Sequence, residues 1–188
     1  MPELIGDPKQ HDPALFANGM SGSCLCGSIQ VTILTKDLFD NPRGHLCSCA
    51  NCRKVAGSYI ASNMLLPAEE VKIEDRDGTL KYYDDKATGS GNSVLRFFCS
   101  ADGKYVALEM TRCLSIFIAA NECSHSPVKS ETAAYPGKVI LKMGMFPRIP
   151  KPEAQGFGLH RQSWEGKHEG VPVFEVKWAG HTKKQMAE

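Results

Sequence analysis

Apolar and polar residues alternate with a period of two in several short stretches of this chain. In SIQVTIL (28–34), Ile29, Val31 and Ile33 are interleaved with Gln30 and Thr32. Such alternation is what a strand buried on one face requires, because successive side chains point to opposite sides. The same pattern predicts strands over SVLRFFCS (93–100), KYVALEM (104–110), LSIFIAA (114–120), KVILKMG (138–144) and VPVFEVKW (171–178). Turn signals separate them: Asp77-Gly78, ATGSGNS (87–93), Asp102-Gly103 and Pro136-Gly137. Helical periodicity is scarce, and the one helix predicted is a short piece after Cys49, through Arg53 and Val55.

The expected fold is therefore mainly β, with many short strands and long loops. A length of 188 residues suits one domain with its own core. Residues 1–20, rich in proline and charge, read as a loose N-terminal arm. Residues 21–180 form the domain, and 181–188, with Lys183 and Lys184, a C-terminal tail. FPRIPKPEAQGFG (146–158) reads as a surface crossing.

Charge changes little in this picture. Lysine plus arginine is 22 and aspartate plus glutamate 21, which gives no general attraction to nucleic acid or to an anionic membrane. No run approaches the ~18 apolar residues of a membrane span. The first residues, MPELIGDPKQHDPALF, lack the apolar stretch of a signal peptide. The expectation is a cytoplasmic protein with neither a nucleic-acid nor a membrane partner.

The eight cysteines matter more. In a reducing compartment they point to metal or catalysis before disulfides. Cys47, Cys49 and Cys52 fall within six residues of HLCSCANCRKVAG (45–57), a density that packing does not call for. Cys-x-x-Cys is a common local zinc-ligand pair. Cys47 and Cys49, two apart, share a face if the backbone is extended there. A strand end running into a turn thus offers three thiolates to one ion. Cys24 and Cys26 have the same two-residue spacing before a strand, and Cys99 ends another. Cys113 and Cys123 have no local partner and read as small buried apolar groups.

The blocks GSCLCGSIQVTI, CSCANCRKVAGS, GTLKYYDD and SGNSVLRFFCSADG, in this order and spacing, resemble the glutathione-dependent formaldehyde-activating enzyme (GFA) family, which includes centromere protein V-like proteins. The resemblance spans residues 22 to about 110, with a weaker echo through KMGMFPRIPKPE to LHRQSW. It implies a β-tent fold of short antiparallel sheets with zinc-binding loops and two zinc sites. Cys47, Cys49 and Cys52 would hold a catalytic zinc; Cys24, Cys26 and Cys99 would hold a structural one. Asn63, Thr88 and Ser90 would line the pocket.

Two departures from the family pattern stand out. Asp102 occupies the position of the fourth structural thiol, giving a Cys₃Asp set that is chemically allowed but less thiophilic, unless Cys113 or Cys123 substitutes or the metal has been lost. Ser48 stands between the first two catalytic cysteines, where the family usually has histidine. The segment 113–137 also looks expanded.

Three protein ligands leave a zinc ion with an open position, whereas four close it. Three thiolates also leave the centre with one net negative charge, which weakens its power to acidify water and suits an incoming sulfur. That chemistry fits making or breaking a carbon–sulfur bond in a thiol adduct. No catalytic triad, no His-Glu-x-x-His and no deaminase motif is present in the sequence. Arg53 either orients a substrate anion or is a solvated surface arginine. His45 reads as an ordinary loop histidine before a residue that supports the metal's ligands or carries a proton. The expected function is a zinc-dependent carbon–sulfur lyase acting on a glutathione or other small thiol adduct, with fungal-type specialised metabolism as the nearest variant and self-association left open. The alternative is a non-catalytic zinc module that binds a macromolecule.

Overall fold

The computed structural model describes residues 6–88, 92–109, 135, 137–177 and 184–186. Among these, ten strands and one helix form: β1 (Met20–Ser23), β2 (Ile29–Ile33), β3 (His45–Cys47), α1 (Ala50–Ala56), β4 (Ala61–Pro67), β5 (Val71–Asp75), β6 (Leu80–Asp85), β7 (Val94–Cys99), β8 (Tyr105–Glu109), β9 (Lys138–Lys142) and β10 (Ala154–Gly156). The chain is mainly β, as the alternation predicts. No helix among the described residues is long and apolar enough to cross a membrane.

The strands make two sheets. A small antiparallel sheet runs β1-β2-β5, and a seven-stranded sheet runs β10-β3-β4-β9-β8-β7-β6. Every pair is antiparallel except β10 with β3. Ile29, Val31 and Ile33 of β2 are fully buried. Each such side chain contributes about 1.5–3 kcal/mol relative to exposure. They join Met64, Leu66, Leu95, Phe97, Val139 and Leu141 of the large sheet in one apolar cluster.

The pleat sends alternate residues of the large sheet to its other face. There the register lines up His45 with Asn63, and Asn63 with Lys142. Cys47, two residues beyond His45, lies on this second face. Cys99 lies with Phe97 in the apolar cluster. The two cysteine groups thus sit on opposite faces of one sheet.

Four expectations change. Residues 6–19 are anchored: Asp7 and Asp12 cap short turns that begin with Pro8 and Pro13, and Phe16 is buried edge-to-face against Phe39, ring centroids 5.5 Å apart. His45 stands in strand β3 and not in a loop. Of the strand expected over 171–178, the described part, 171–177, forms no regular strand. Pro172 offers no N–H, and the segment is held by single bridges, Val173 to Gln155 and Phe174 to Gln185. Residues 146–158 do cross, but Ala154–Gly156 pair into the sheet as β10. The strand expected over 114–120 lies outside the described residues, as do Cys113 and Cys123.

Candidate functional site

Cys47 ends β3, and the chain then turns into α1. Cys49 is the N-cap residue of that helix: its backbone is extended (φ −63°, ψ 154°) and its sulfur accepts from the Cys52 N–H at 3.4 Å. Gly57 stops the helix in the left-handed region, φ 61°. Extended backbone at 47–49 followed by one helical turn aims three sulfurs at one point. All three lie within 4.8 Å of one another, and no fourth His, Cys, Asp or Glu joins them among the described residues. Tetrahedral thiolates on zinc sit about 3.8 Å apart, so the donor set fits that ion.

The three sulfurs compete for their protons. Hydrogen bonds from Cys47 and Cys52 hold the Cys49 thiol far below its ordinary range. The same bond to Cys49, the neighbouring Cys52 and burial push Cys47 up. Cys52 is drawn down by Cys47, but Cys49 and burial outweigh this and raise it. A bound divalent cation would remove the competition by stabilising all three thiolates.

Buried polar residues back the cluster. Lys142 is 5% exposed, and its Nζ donates to Asn63 Oδ1 at 2.6 Å. Asn63 Nδ2 lies 3.5 Å from His45 Nε2. Burial, then the Lys142 charge, lower the His45 pKa to about 4, so its imidazole is neutral at pH 7. Further along this face Arg96 donates through Nε and Nη2 to Asp85 Oδ2, at 2.8 and 2.6 Å. The same oxygen accepts from Asn51 Nδ2 at 3.0 Å, which ties α1 to β6 and β7. Burial raises the Asp85 pKa, but the Arg96 and Asn51 bonds outweigh it and leave the carboxyl below its ordinary value.

Lys142, Arg96, Asp85 and Asn51 are absent from the sequence-based candidates. Lys142 occupies the polar side of an alternating strand, where lysine ordinarily faces water. Its burial shows that this side of the sheet is covered.

Ser48, which replaces the family's usual histidine, is fully buried and accepts from Gln155 Nε2 at 3.0 Å. Its N–H donates to the Gly156 carbonyl. The parallel strand β10 thereby locks the backbone between Cys47 and Cys49. Arg53, predicted beside the last thiol, is half-buried, and its Nε has no hydrogen-bond partner among the described residues. Thr88 donates to the Asn92 carbonyl, 2.5 Å away, and Ser90 lies outside the described residues.

The second group forms where β1 and β2 approach the end of β7. Cys24 and Cys26 sulfurs are 3.5 Å apart, and Cys26 and Cys99 sulfurs 3.6 Å apart. Asp102 lies with them inside the same 4.8 Å set. Its carboxylate already accepts two backbone bonds, Oδ2 from the Cys26 N–H and Oδ1 from the Lys104 N–H, both 2.8 Å. Burial raises the Asp102 pKa, and these amides hold it well below the usual range all the same. Asp102 thus braces the Cys26 loop as well as filling the place of a fourth donor. A groove of about 710 Å³ opens beside Cys24 and Leu25, lined also by Phe16 and Met145.

Comparison with known proteins bears on both groups. No curated protein matches the chain. A crystal structure of a Rhodobacter sphaeroides protein is similar to it at 18% identity, covering 69% of this chain and 90% of that one, with a TM-score of 0.40. The sequence profile described as glutathione-dependent formaldehyde-activating enzyme matches residues 19–121. That span is more than half of the chain and carries every cysteine of the two groups, so the protein belongs to the glutathione-dependent formaldehyde-activating enzyme family.

Proposed function

We propose that the chain is a zinc-dependent enzyme that makes or breaks a carbon–sulfur bond in a glutathione or other small thiol adduct. One observation carries the proposal: three thiols, and no fourth donor among the described residues, converge at the start of α1. Cys47, Cys49 and Cys52 would hold the catalytic zinc. Cys24, Cys26, Cys99 and Asp102 would hold a second, structural ion. When bound, the catalytic zinc supplies a soft Lewis-acid centre with one position open to a substrate sulfur.

The chain's own residues do the rest. Ser48 and Gln155 fix the backbone that carries the first two thiolates. Asn51, anchored on Asp85, fixes the helix turn that carries the third. Arg53 follows Cys52 and offers a cation to a substrate carboxylate. The neutral His45 imidazole, beside Asn63, adds no charge to the site at pH 7.

Metal analysis with cobalt substitution tests this reading. Thiolate-to-cobalt charge-transfer bands should report three sulfurs in the resting protein and intensify when glutathione or a glutathione adduct is added. Adducts of small aldehydes should release free glutathione in the wild type and not in Cys52→Ser. A fourth protein ligand by X-ray absorption, with no spectral response to any small thiol, would exclude the lyase and favour a non-catalytic zinc module.

A further inference from the structure

Lys142 is a buried cation, and the acceptor seen for its ammonium is a neutral amide, Asn63 Oδ1, at 2.6 Å. Placing an ammonium in such a position is costly, since burial disfavours its charged form. A lysine used only to fill space would be replaced at no loss by an apolar residue of the same length. What surrounds it explains the charge. The register sets Lys142 beside Asn63 and Asn63 beside His45 on one rung of β9, β4 and β3, and Cys47 stands two residues beyond His45 on the same face. Arg96, a cation within electrostatic reach of Lys142, is neutralised by Asp85. Lys142 has no carboxylate partner among the described residues.

We infer that Lys142 is a positioning residue whose ammonium balances the negative charge of the Cys47–Cys49–Cys52 centre, and that Asn63 holds it there so that a further, anionic sulfur can bind. The inference rests on the zinc-site reading proposed above and adds to it a requirement on what the site can accept. Three thiolates on a divalent ion leave one net negative charge. Replacing neutral water by a thiolate makes it two. Lys142 returns the balance to one, which lowers the electrostatic cost of admitting a thiolate sulfur. Burial lowers the pKa of Lys142, while Cys52, Cys47 and Cys49 act in the opposite sense, which places all three within electrostatic reach of it.

The test compares Lys142→Met, which keeps length and removes charge, with Lys142→Arg, which keeps charge. Each full-length variant is loaded with cobalt and titrated with glutathione and with β-mercaptoethanol, following the charge-transfer bands. The resting bands should be the same in all three proteins. The thiol concentration at half-response should rise about tenfold or more in Lys142→Met, and stay within about threefold of wild type in Lys142→Arg. Metal-free Lys142→Met should melt lower than the wild type whichever role the residue has, because Asn63 Oδ1 loses its donor, so the thiol response decides between the roles. A residue with a merely structural role would leave the thiol response alone. Equal thiol responses in wild type and Lys142→Met overturn the inference while leaving the zinc-site reading standing. If the wild type itself does not respond to either thiol, the zinc-site reading fails and takes this inference with it. Lys142→Gln, which keeps a donor toward Asn63, serves the same comparison if the methionine variant is recovered poorly.

Discussion

Replacing Asp85 by asparagine should be among the most damaging conservative changes in the chain. Asp85 and Arg96 are buried, their side chains 9% and 6% exposed, and one carboxylate oxygen receives Arg96 Nη2 at 2.6 Å, Arg96 Nε at 2.8 Å and Asn51 Nδ2 at 3.0 Å. Removing one partner of a buried pair generally costs about 3–5 kcal/mol, because the other charge is left uncompensated. The new amide carbonyl can still accept one of the three bonds, which puts Asp85→Asn near the lower end, about 3 kcal/mol. For a domain of this size that corresponds to a fall of roughly 6–12 °C in melting temperature. Urea unfolding at pH 7 reads the change directly, and Asp85→Asn/Arg96→Met should recover most of it, since the double variant leaves no unpaired charge.

The pH dependence carries a sign that checks the cause. The folded Asp85 carboxyl lies below its ordinary value. Its stabilisation is therefore fully present above the unfolded pKa, about 3.9, and is lost as pH falls through the folded value. The gap between wild type and Asp85→Asn should narrow below about pH 4. Zinc retention against a chelator should also weaken in the variant, because the Asn51 tether that orients Cys49 and Cys52 is left chiefly with its bond to the Ala87 carbonyl. An unchanged urea midpoint, or a double variant as unstable as Asp85→Asn, would refute the reasoning.

Other expectations follow from the same geometry. Cys52→Ser should lose about one zinc per chain by metal analysis while keeping the far-ultraviolet spectrum, because its thiol is not part of the apolar cluster; full metal content would remove Cys52 from the site. Asp102→Ala should destabilise the zinc-free protein by about 1–3 kcal/mol, since two backbone amides lose a charged acceptor. Asp102→Cys should slow zinc release from the second group to a chelator, and a release rate indifferent to both changes would place the fourth donor elsewhere. Phe16→Ala should cost about 3–5 kcal/mol by the usual scale for a buried aromatic ring; a loss under about 1 kcal/mol would mean that residues 6–19 are not part of the folded body.

How much of this was legible in the sequence depends on which side of each strand is asked about. Strands β2 and β9 are legible because one side of each is apolar and the other mostly polar, the pattern of a half-buried sheet; β7 and β8 fall in segments read the same way, although both carry apolar residues on each side. Strand β4 was missed. It sits inside the large sheet with Met64 and Leu66 on the apolar face and Asn63 buried on the other, so polar and apolar residues are both covered and alternation no longer marks exposure. Edge strand β6 was missed for the opposite reason: its tyrosines, Tyr82 and Tyr83, are exposed, and its one buried position is an acid, Asp85. The cysteines were legible because their spacing is local, while their distribution over two faces required strand parity.

Lys142, Asn63, Arg96 and Asp85 were not legible as a group, since each is polar where a strand is expected to be polar. The assumption that failed is that the polar side faces water. A second face built from buried polar residues costs stability unless each finds a partner. Arg96 and Asp85 find one another, Asn63 finds His45 and Lys142, and Ser48 finds Gln155. In this buried layer Lys142 has no carboxylate partner among the described side chains, and the three clustered thiols lie within its electrostatic reach. The unbalanced charge in that otherwise paired layer is the physical link between the sheet and the sulfurs, and it is why the polar face is better understood as part of the site than as a surface that happens to be covered.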